Sequence, residues 1–569
     1  MAQVDAQLST GLAGLDRMLK GLIPGDNIVW QVRSVEDYAP FVAPYCDFAS
    51  RRGQKLIYFR FARHGPLVGP ESGAEVHVLH PEAGFENFIG EIHRVIEKTG
   101  RGGYYVFDCL SDLAADWYSD QMLGNFFMLT CPYLFDVEAI AYFTLLRDRH
   151  SHHATDAISD TTQVFLDVYR HHGRAYIHPR KVQQRYSPTM YMLHVCGDQE
   201  FLPVTESATI AEILNSMPWR GLGAAASQGM WERTLGIAEE ALGELQAGRR
   251  QDQDSPDHFH RLVRMAITRE QRLGELVEKH MDLHDVLTVA RRMIGTGLIG
   301  GKSVGMLLAR AILRQADPRW QEVLEPHDSF YVGSDVFYTF LVRNGIWWIR
   351  QQQRDQSNFL AGAGRARHRI LTGTFPDYIL RQFEGMLDYF GQSPIIVRSS
   401  SLLEDNFGNS FAGKYESVFC ANQGSRHKRL EDFLSAVRTI YASAMSEKAL
   451  TYRAQRGILD RDEQMALLVQ RVSGALHGQF FYPPIAGVGF SFNPYVWGPQ
   501  IDPAAGMLRL VFGLGTRAVD RSDDDYTRVV ALNDPHRRPE ANFDKVRRYS
   551  QHKVDVVMPQ SWGESMAAS

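Results

Sequence analysis

Between residues 27 and 145, runs of β-branched and aromatic residues alternate with a stretch of helical spacing, and this alternation limits what the first third of the chain can fold into. Asn27–Val32, Lys55–Phe59, Glu75–Leu79, Tyr104–Phe107 and Glu138–Leu145 have strand length and strand composition. Between the third and fourth, Phe85, Phe88, Ile89, Ile92, Val95 and Ile96 share one helical face, and Gly100 supplies a stop. Repeated βαβ units predict a parallel sheet covered by helices over residues 1–205.

One such domain cannot absorb 569 residues, because a single core stops growing near about 250–300 residues. Residues 206–295 read differently. Trp231, Leu235, Ala238, Leu242 and Leu245 form one helical stripe, and Phe259, Leu262, Val263, Ala266, Leu273, Leu276, Val277 and Leu287 form another. The polar break from Gly248 to Asp257 holds Ser255-Pro256, a candidate N-cap with proline at the first helical position. A helical hairpin serving as connector is expected, with a dimerisation coiled coil, and so a homo-oligomer, as the alternative. From 296 to 569 the pattern is mixed α/β with glycine-rich turns and hydroxyl-rich segments.

Net charge is −5 and pI is near 6.5, which gives no electrostatic case for nucleic acid or an anionic membrane as partner. No stretch has the ~18–20 apolar residues of a membrane span, and Met1-Ala2-Gln3-Val4-Asp5 lacks the basic-then-apolar start of a secretory signal. The five cysteines are scattered, odd in number and without C-x-x-C spacing, as reduced thiols would be. A cytoplasmic multidomain protein is expected.

Ser9-Thr10-Gly11-Leu12-Ala13-Gly14-Leu15-Asp16, followed by Leu19 and the run Asn27–Val32, resembles the opening of RecA-like ATPases of the recombinase and circadian-clock type. That resemblance implies a phosphate loop after the first strand. Here Arg33-Ser34-Val35-Glu36-Asp37-Tyr38-Ala39-Pro40 has no glycine or lysine and places two carboxylates where an anion would need donors. Tyr104–Ser111 resembles the strand that ends in the family's metal-associated aspartate, but without the loop Asp108 reads as a structural acid. The first domain is therefore expected to be a degenerate RecA-like unit. His150, His152, His153 and the pair His171, His172 lack i, i+4 spacing and read as solvated loop.

Thr296-Gly297-Leu298-Ile299-Gly300-Gly301-Lys302-Ser303 nearly spells a P-loop, yet threonine replaces the first glycine and 283–294 reads as helix where a strand should precede. Gly300-Gly301-Lys302-Ser303-Val304-Gly305-Met306-Leu307 instead resembles the segment that opens the nucleotide-binding domain of the pyruvate phosphate dikinase and phosphoenolpyruvate synthase family. Val397-Arg398-Ser399-Ser400-Ser401, Glu404-Asp405, Ser410-Phe411-Ala412-Gly413 and Tyr415-Glu416-Ser417 resemble that family's signature. Ala444–Arg453, Val469-Gln470-Arg471-Val472, Gly487–Pro494 and Gly513-Leu514-Gly515 follow in the family's order.

The resemblance implies an ATP-grasp-type α+β domain over 296–569 and an α/β multidomain chain overall. It implies ATP and Mg2+ as cofactors and assigns roles. Lys302 and Arg398 would hold the terminal phosphates, a task suited to a compact cation and a planar fork. Gly300, Gly301, Ser399, Ser400, Ser410 and Gly413 would supply small, donor-rich walls, Gln470 would mark the adenine hinge, and Ser491 would shape the back of the pocket. Missing are the acid-then-glutamine strand expected after Asp544, the phosphohistidine motif and the acceptor barrel. The expected function is an ATP-binding phosphotransferase module passing phosphate to a histidine on another domain or chain, such as a separate phosphohistidine-domain protein. The alternative is a non-catalytic nucleotide-sensing regulator or scaffold.

Overall fold

The computed structural model describes residues 8–197, 200–215, 229–247, 255–404, 413–519 and 525–559. Strands β1 (Asn27–Val32), β2 (Leu56–Arg60), β3 (Glu75–Val78), β4 (Tyr104–Cys109), β5 (Ile140–Leu146), β6 (Val164–His171), β7 (Arg174–Val182), β8 (His194–Cys196) and β9 (Phe201–Pro203) build one nine-stranded sheet, ordered β3-β2-β4-β5-β1-β6-β7-β8-β9. From β3 through β6 the neighbours are parallel, as the βαβ pattern predicts. Helices cover both faces, so central strands such as β4 and β5 are buried almost throughout and read as continuous apolar runs.

The antiparallel extension β7–β9 was not expected from the sequence. It begins at a two-residue turn, His172-Gly173, in which both residues have positive φ. Histidine stands where asparagine or aspartate would have announced a hairpin.

After β1 the helix Val35–Arg51 starts at once, and Asp37 in its first turn is ion-paired with Arg170. Asp108 is fully buried. It accepts hydrogen bonds from Tyr58, Arg60 and, at 2.8 Å each, the amides of Phe61 and Ala62, so it ties down the end of β2.

The expectation of a solvated histidine loop is corrected. His150 is buried 2.7 Å from the Ser111 hydroxyl, and His153 stacks on Tyr378. His171 and His172 both reach the Glu212 carboxylate, at 3.1 and 3.4 Å.

The connector also differs from a plain hairpin. Its described part is broken into Met230–Gln246, Ser255–Leu262, a π turn at Val263–Ile267, Gln271–His280 and Leu283–Ala290. Residues 248–254 and the side chains of Ser255 and Pro256 lie outside the described residues. Both apolar stripes are spent within the chain, where Trp231, Ala238, Leu262, Val263, Val277 and Leu287 pack with Val304, Leu307, Leu308 and Ala311. That packing uses the surface a coiled-coil dimer would have needed.

The segment 283–294 is not one helix, because a short strand, β10 (Met293–Ile294), follows Ala290. With β11 (Ser329–Val332), β12 (Ile395–Ser401), β13 (Ser417–Cys420) and β14 (Met465–Arg471) it forms a second sheet ordered β10-β11-β14-β12-β13, antiparallel except for the β10–β11 pair. One face lies on a core containing Phe337, Phe383, Val437 and Tyr441, and the helix Gly301–Ala316 crosses the other. A hairpin of β15 (Ala475–His477) and β16 (Phe480–Tyr482) and a three-stranded sheet of β17 (Ala486–Phe490), β18 (Met507–Val511) and β19 (Arg528–Ala531) complete the described chain.

The two sheets' domains are locked by a buried charge cluster. Glu86, at the start of the helix Phe85–Thr99, is fully buried. It faces Arg350 at 3.1 Å and Arg354 at 3.2 Å, and accepts from the Tyr338 hydroxyl and the Glu463 amide. In return Asp462 accepts from the Glu86 amide at 3.2 Å, filling the N-cap role that Gly84 lacks a side chain to play. Gly84 has φ 111°, and a Cβ there would lie 2.5 Å from the Asp462 carboxylate. Phe85 packs on Tyr338 and Trp347 beside this cluster. Glu86→Ala would leave Arg350 buried without its carboxylate, which should cost about 3–5 kcal/mol of unfolding free energy by denaturant titration. Exposed Glu97→Ala on the same helix should change it by less than about 0.5 kcal/mol.

Candidate functional site

The site is built where the helix Gly301–Ala316 starts against β12. Gly300 has φ 79°, and a Cβ on it would sit 1.4 Å from the Ser400 carbonyl oxygen; one on Gly301 would sit 2.1 Å from that of Glu404. The two glycines let a helix N-terminus press directly on strand backbone. Ser400 closes the joint: its Oγ accepts from the Ser303 amide at 3.1 Å and donates to the Ile299 carbonyl at 2.8 Å.

The hydroxyls of β12 thus divide their work. Ser400 staples the helix, Ser401 donates to buried Glu463 at 2.5 Å, and Ser399 lies 3.5 Å from the Lys302 ammonium. Lys302 is ion-paired with Glu404. Strand alternation places Arg398 with Ile396 and Ser400 on the face turned away from the main core, which takes Ile395 and Val397. Arg398 is half-buried, and no described residue forms a hydrogen bond or ion pair with its guanidinium. The structure therefore brings Lys302, Ser399, Ser400, Gly300 and Gly301 together, while Arg398, next to Ser399 on β12, projects from the opposite face of the strand to Ser399.

The remaining sequence candidates lie elsewhere. Gln470 sits in β14, between β11 and β12, so its backbone lies inside the ladder; its amide donates to Ser329 and Met306 Sδ, each at 3.2 Å. Ser491 is exposed just past β17 on the separate three-stranded sheet. Gly413 is described, with φ 66°, whereas Ser410 and Asp405 lie outside the described residues.

Residues the sequence did not single out support the site from behind. Glu463 accepts from Ser401 and from the Tyr415 hydroxyl at 2.6 Å and faces Arg453 at 3.3 Å, all buried. No spacing announces that contact. The loop before Lys302 is fastened by Asp335, which accepts from the Thr296 amide at 2.9 Å and hydroxyl at 2.7 Å; that hydroxyl also meets Ser119 of the first domain. Burial pushes Asp335 from its usual value near 3.8 up to about 7.

Near the C-terminus Gln551 bonds the Phe512 backbone, and Arg517 lies between Asp555 at 3.0 Å and Asp525 at 3.8 Å. Magnesium prefers oxygen ligands, usually carboxylates together with phosphate. Among the described residues the groups arranged to hold a metal are His171, His172 and Glu212, and Asp282, His284 and Asp285, neither of them beside Lys302. Beside Lys302 the described carboxylate is Glu404.

The Lys302 ammonium, the Ser399 hydroxyl and the start of the helix Gly301–Ala316 thus lie together at one end of β12. Residues 296–567 match the family model of the pyruvate phosphate dikinase AMP/ATP-binding domain. The chain is 30% identical over 171 residues to a rifampicin phosphotransferase of Streptomyces sp and 27% identical over 205 residues to the uncharacterized phosphotransferase YvkC of Bacillus subtilis (strain 168). Those matches take in 30% and 36% of this chain but only 18% and 21% of the relatives' own lengths. No described helix is long and apolar enough to cross a membrane.

Two outcomes test the geometry. Gly300→Ala should abolish the docking of helix on strand and lower the Tm well below that of the exposed control Gly364→Ala. Asp335, whose folded pKa lies above its unfolded value, binds its proton more tightly when folded, so its contribution to stability falls as pH rises from about 4 to 7. Asp335→Asn should flatten the Tm-versus-pH curve between about pH 4 and 7.

Proposed function

We propose that this chain is an ATP-binding phosphotransferase module which passes a phosphoryl group from ATP to a histidine on another domain or chain. The observation that carries this reading is Arg398, a half-buried guanidinium with no described partner, held on the strand whose next residue lies 3.5 Å from Lys302. Phosphoryl transfer is mainly positioning and charge neutralisation, and a fork and an ammonium at one triphosphate supply both. Lys302 would exchange Glu404 for the terminal phosphate, and Ser399, Ser400, Ser410, Gly300, Gly301 and Gly413 would wall the phosphates. Gln470 and Ser491 would belong to the nucleotide's outer walls. Magnesium would arrive with ATP as its counterion, and the proposal needs no protein-held metal.

In this reading 296–569 is an ATP-grasp-type domain, 206–295 a connector and 1–205 a degenerate RecA-like domain, supported by its parallel half-sheet and by an Asp108 occupied with structural bonds. A cytoplasmic location is supported by five cysteines, all free. The non-catalytic sensor remains a second reading, favoured by the Lys302–Glu404 pair and by Arg517 standing between the two late carboxylates.

Arg398→Ala should weaken ATP binding by about 1–3 kcal/mol, the scale of a lost charged hydrogen bond, in calorimetric titration. Unchanged affinity would sink the site. Transfer of labelled γ-phosphate to a supplied phosphohistidine-domain protein separates enzyme from sensor: none from a chain that binds ATP supports the sensor.

A further inference from the structure

A cleft of about 330 Å³ opens where the connector meets the helix Gly301–Ala316. It is at the small end of the ~300–1,000 Å³ of ligand pockets. Its walls carry Arg292, Arg310, Arg314 and His327, with His284 and Asp285 also bordering it. The floor is apolar, formed by Val289, Leu307, Met281 and Tyr331. None of Lys302, Arg398, Ser399 or Ser400 lines it; it approaches them only through Ser329, whose hydroxyl takes the Gln470 amide.

The charges do not cancel. Arg314 is paired with Asp285 at 3.3 Å, and Arg292 with Asp328 at 3.2 Å. Arg310 has no hydrogen bond or ion pair with any described residue. His327, 3.2 Å from the Ser329 hydroxyl, is pushed below its usual range first by burial and then by Arg310, Arg314 and Arg292, so the cleft is positive as well as partly dry.

We infer that this cleft binds a small oxyanion with an apolar body, a phosphate monoester or a carboxylate, whose charged end meets Arg310 while its body lies on Leu307 and Tyr331. Arginine's fork takes either group in two parallel bonds. Occupancy would join the connector to the helix that carries Lys302, giving the proposed nucleotide site a neighbour of different specificity.

The test titrates the full chain calorimetrically with phenyl phosphate, benzoate and inorganic phosphate, with and without saturating ATP. Saturable one-to-one binding of phenyl phosphate or benzoate is expected, tighter than inorganic phosphate and undiminished by ATP. It should be unchanged in Arg398→Ala and weakened at least about tenfold in Arg310→Gln, the loss of one charge-assisted contact. Arg310 is partly exposed, so Arg310→Gln should keep the wild-type Tm. Three results would overturn the inference: no saturable binding of either aromatic probe, displacement by ATP, or equal affinity in Arg310→Gln. Loss of ATP binding in Arg398→Ala with phenyl phosphate retained bears on the nucleotide site alone.

Discussion

Glu86 is the interaction on which the arrangement of this molecule depends. A carboxylate taken wholly out of water is tolerated only when cations and donors replace its hydration, and here those partners come from the other domain: Arg350, Arg354, Tyr338 and the Glu463 amide. The exchange is reciprocal, since Asp462 caps the helix that carries Glu86. Glu86 therefore finds its cations and its hydroxyl donor across the seam. The cluster does not stop at the seam, because Glu463 passes the constraint through a short bond to Ser401, three residues beyond Arg398 on the same strand.

The candidate site follows from close backbone approach more than from any single charge. Two glycines allow the helix start to rest on the carbonyls of Ser400 and Glu404, and this contact carries Lys302 to Ser399. Three successive serines look equivalent in a motif, but in space they face a helix amide, a buried glutamate and a lysine. Hydroxyl-rich motifs of this kind can combine a scaffold and a ligand wall in one strand, because alternate side chains project to opposite faces.

Much of this was legible in the residues. The parallel half of the first sheet could be read from Asn27–Val32, Leu56–Arg60 and Tyr104–Cys109, whose burial on both faces demands unbroken apolar runs. Lys302 and Arg398 stand out in the sequence because ordered glycine and serine motifs surround them. The β7–β9 extension was hidden by a turn written His172-Gly173, and the break at Val263–Ile267 by a stripe whose periodicity looked continuous. Glu86, Glu463 and Asp335 gave no signal, because an acid destined for burial is spelled like one destined for water. Only its partners, hundreds of positions away in the case of Glu86, distinguish it.

The reciprocal capping between Asp462 and Glu86 has a consequence for inheritance. A shuffled gene that joined this unit to an unrelated leading domain would have to bring both an acid and a capless helix start to the same spot, or leave the buried Arg350 guanidinium without the carboxylate it faces. The leading domain and its follower are therefore expected to descend as one heritable block rather than as interchangeable parts.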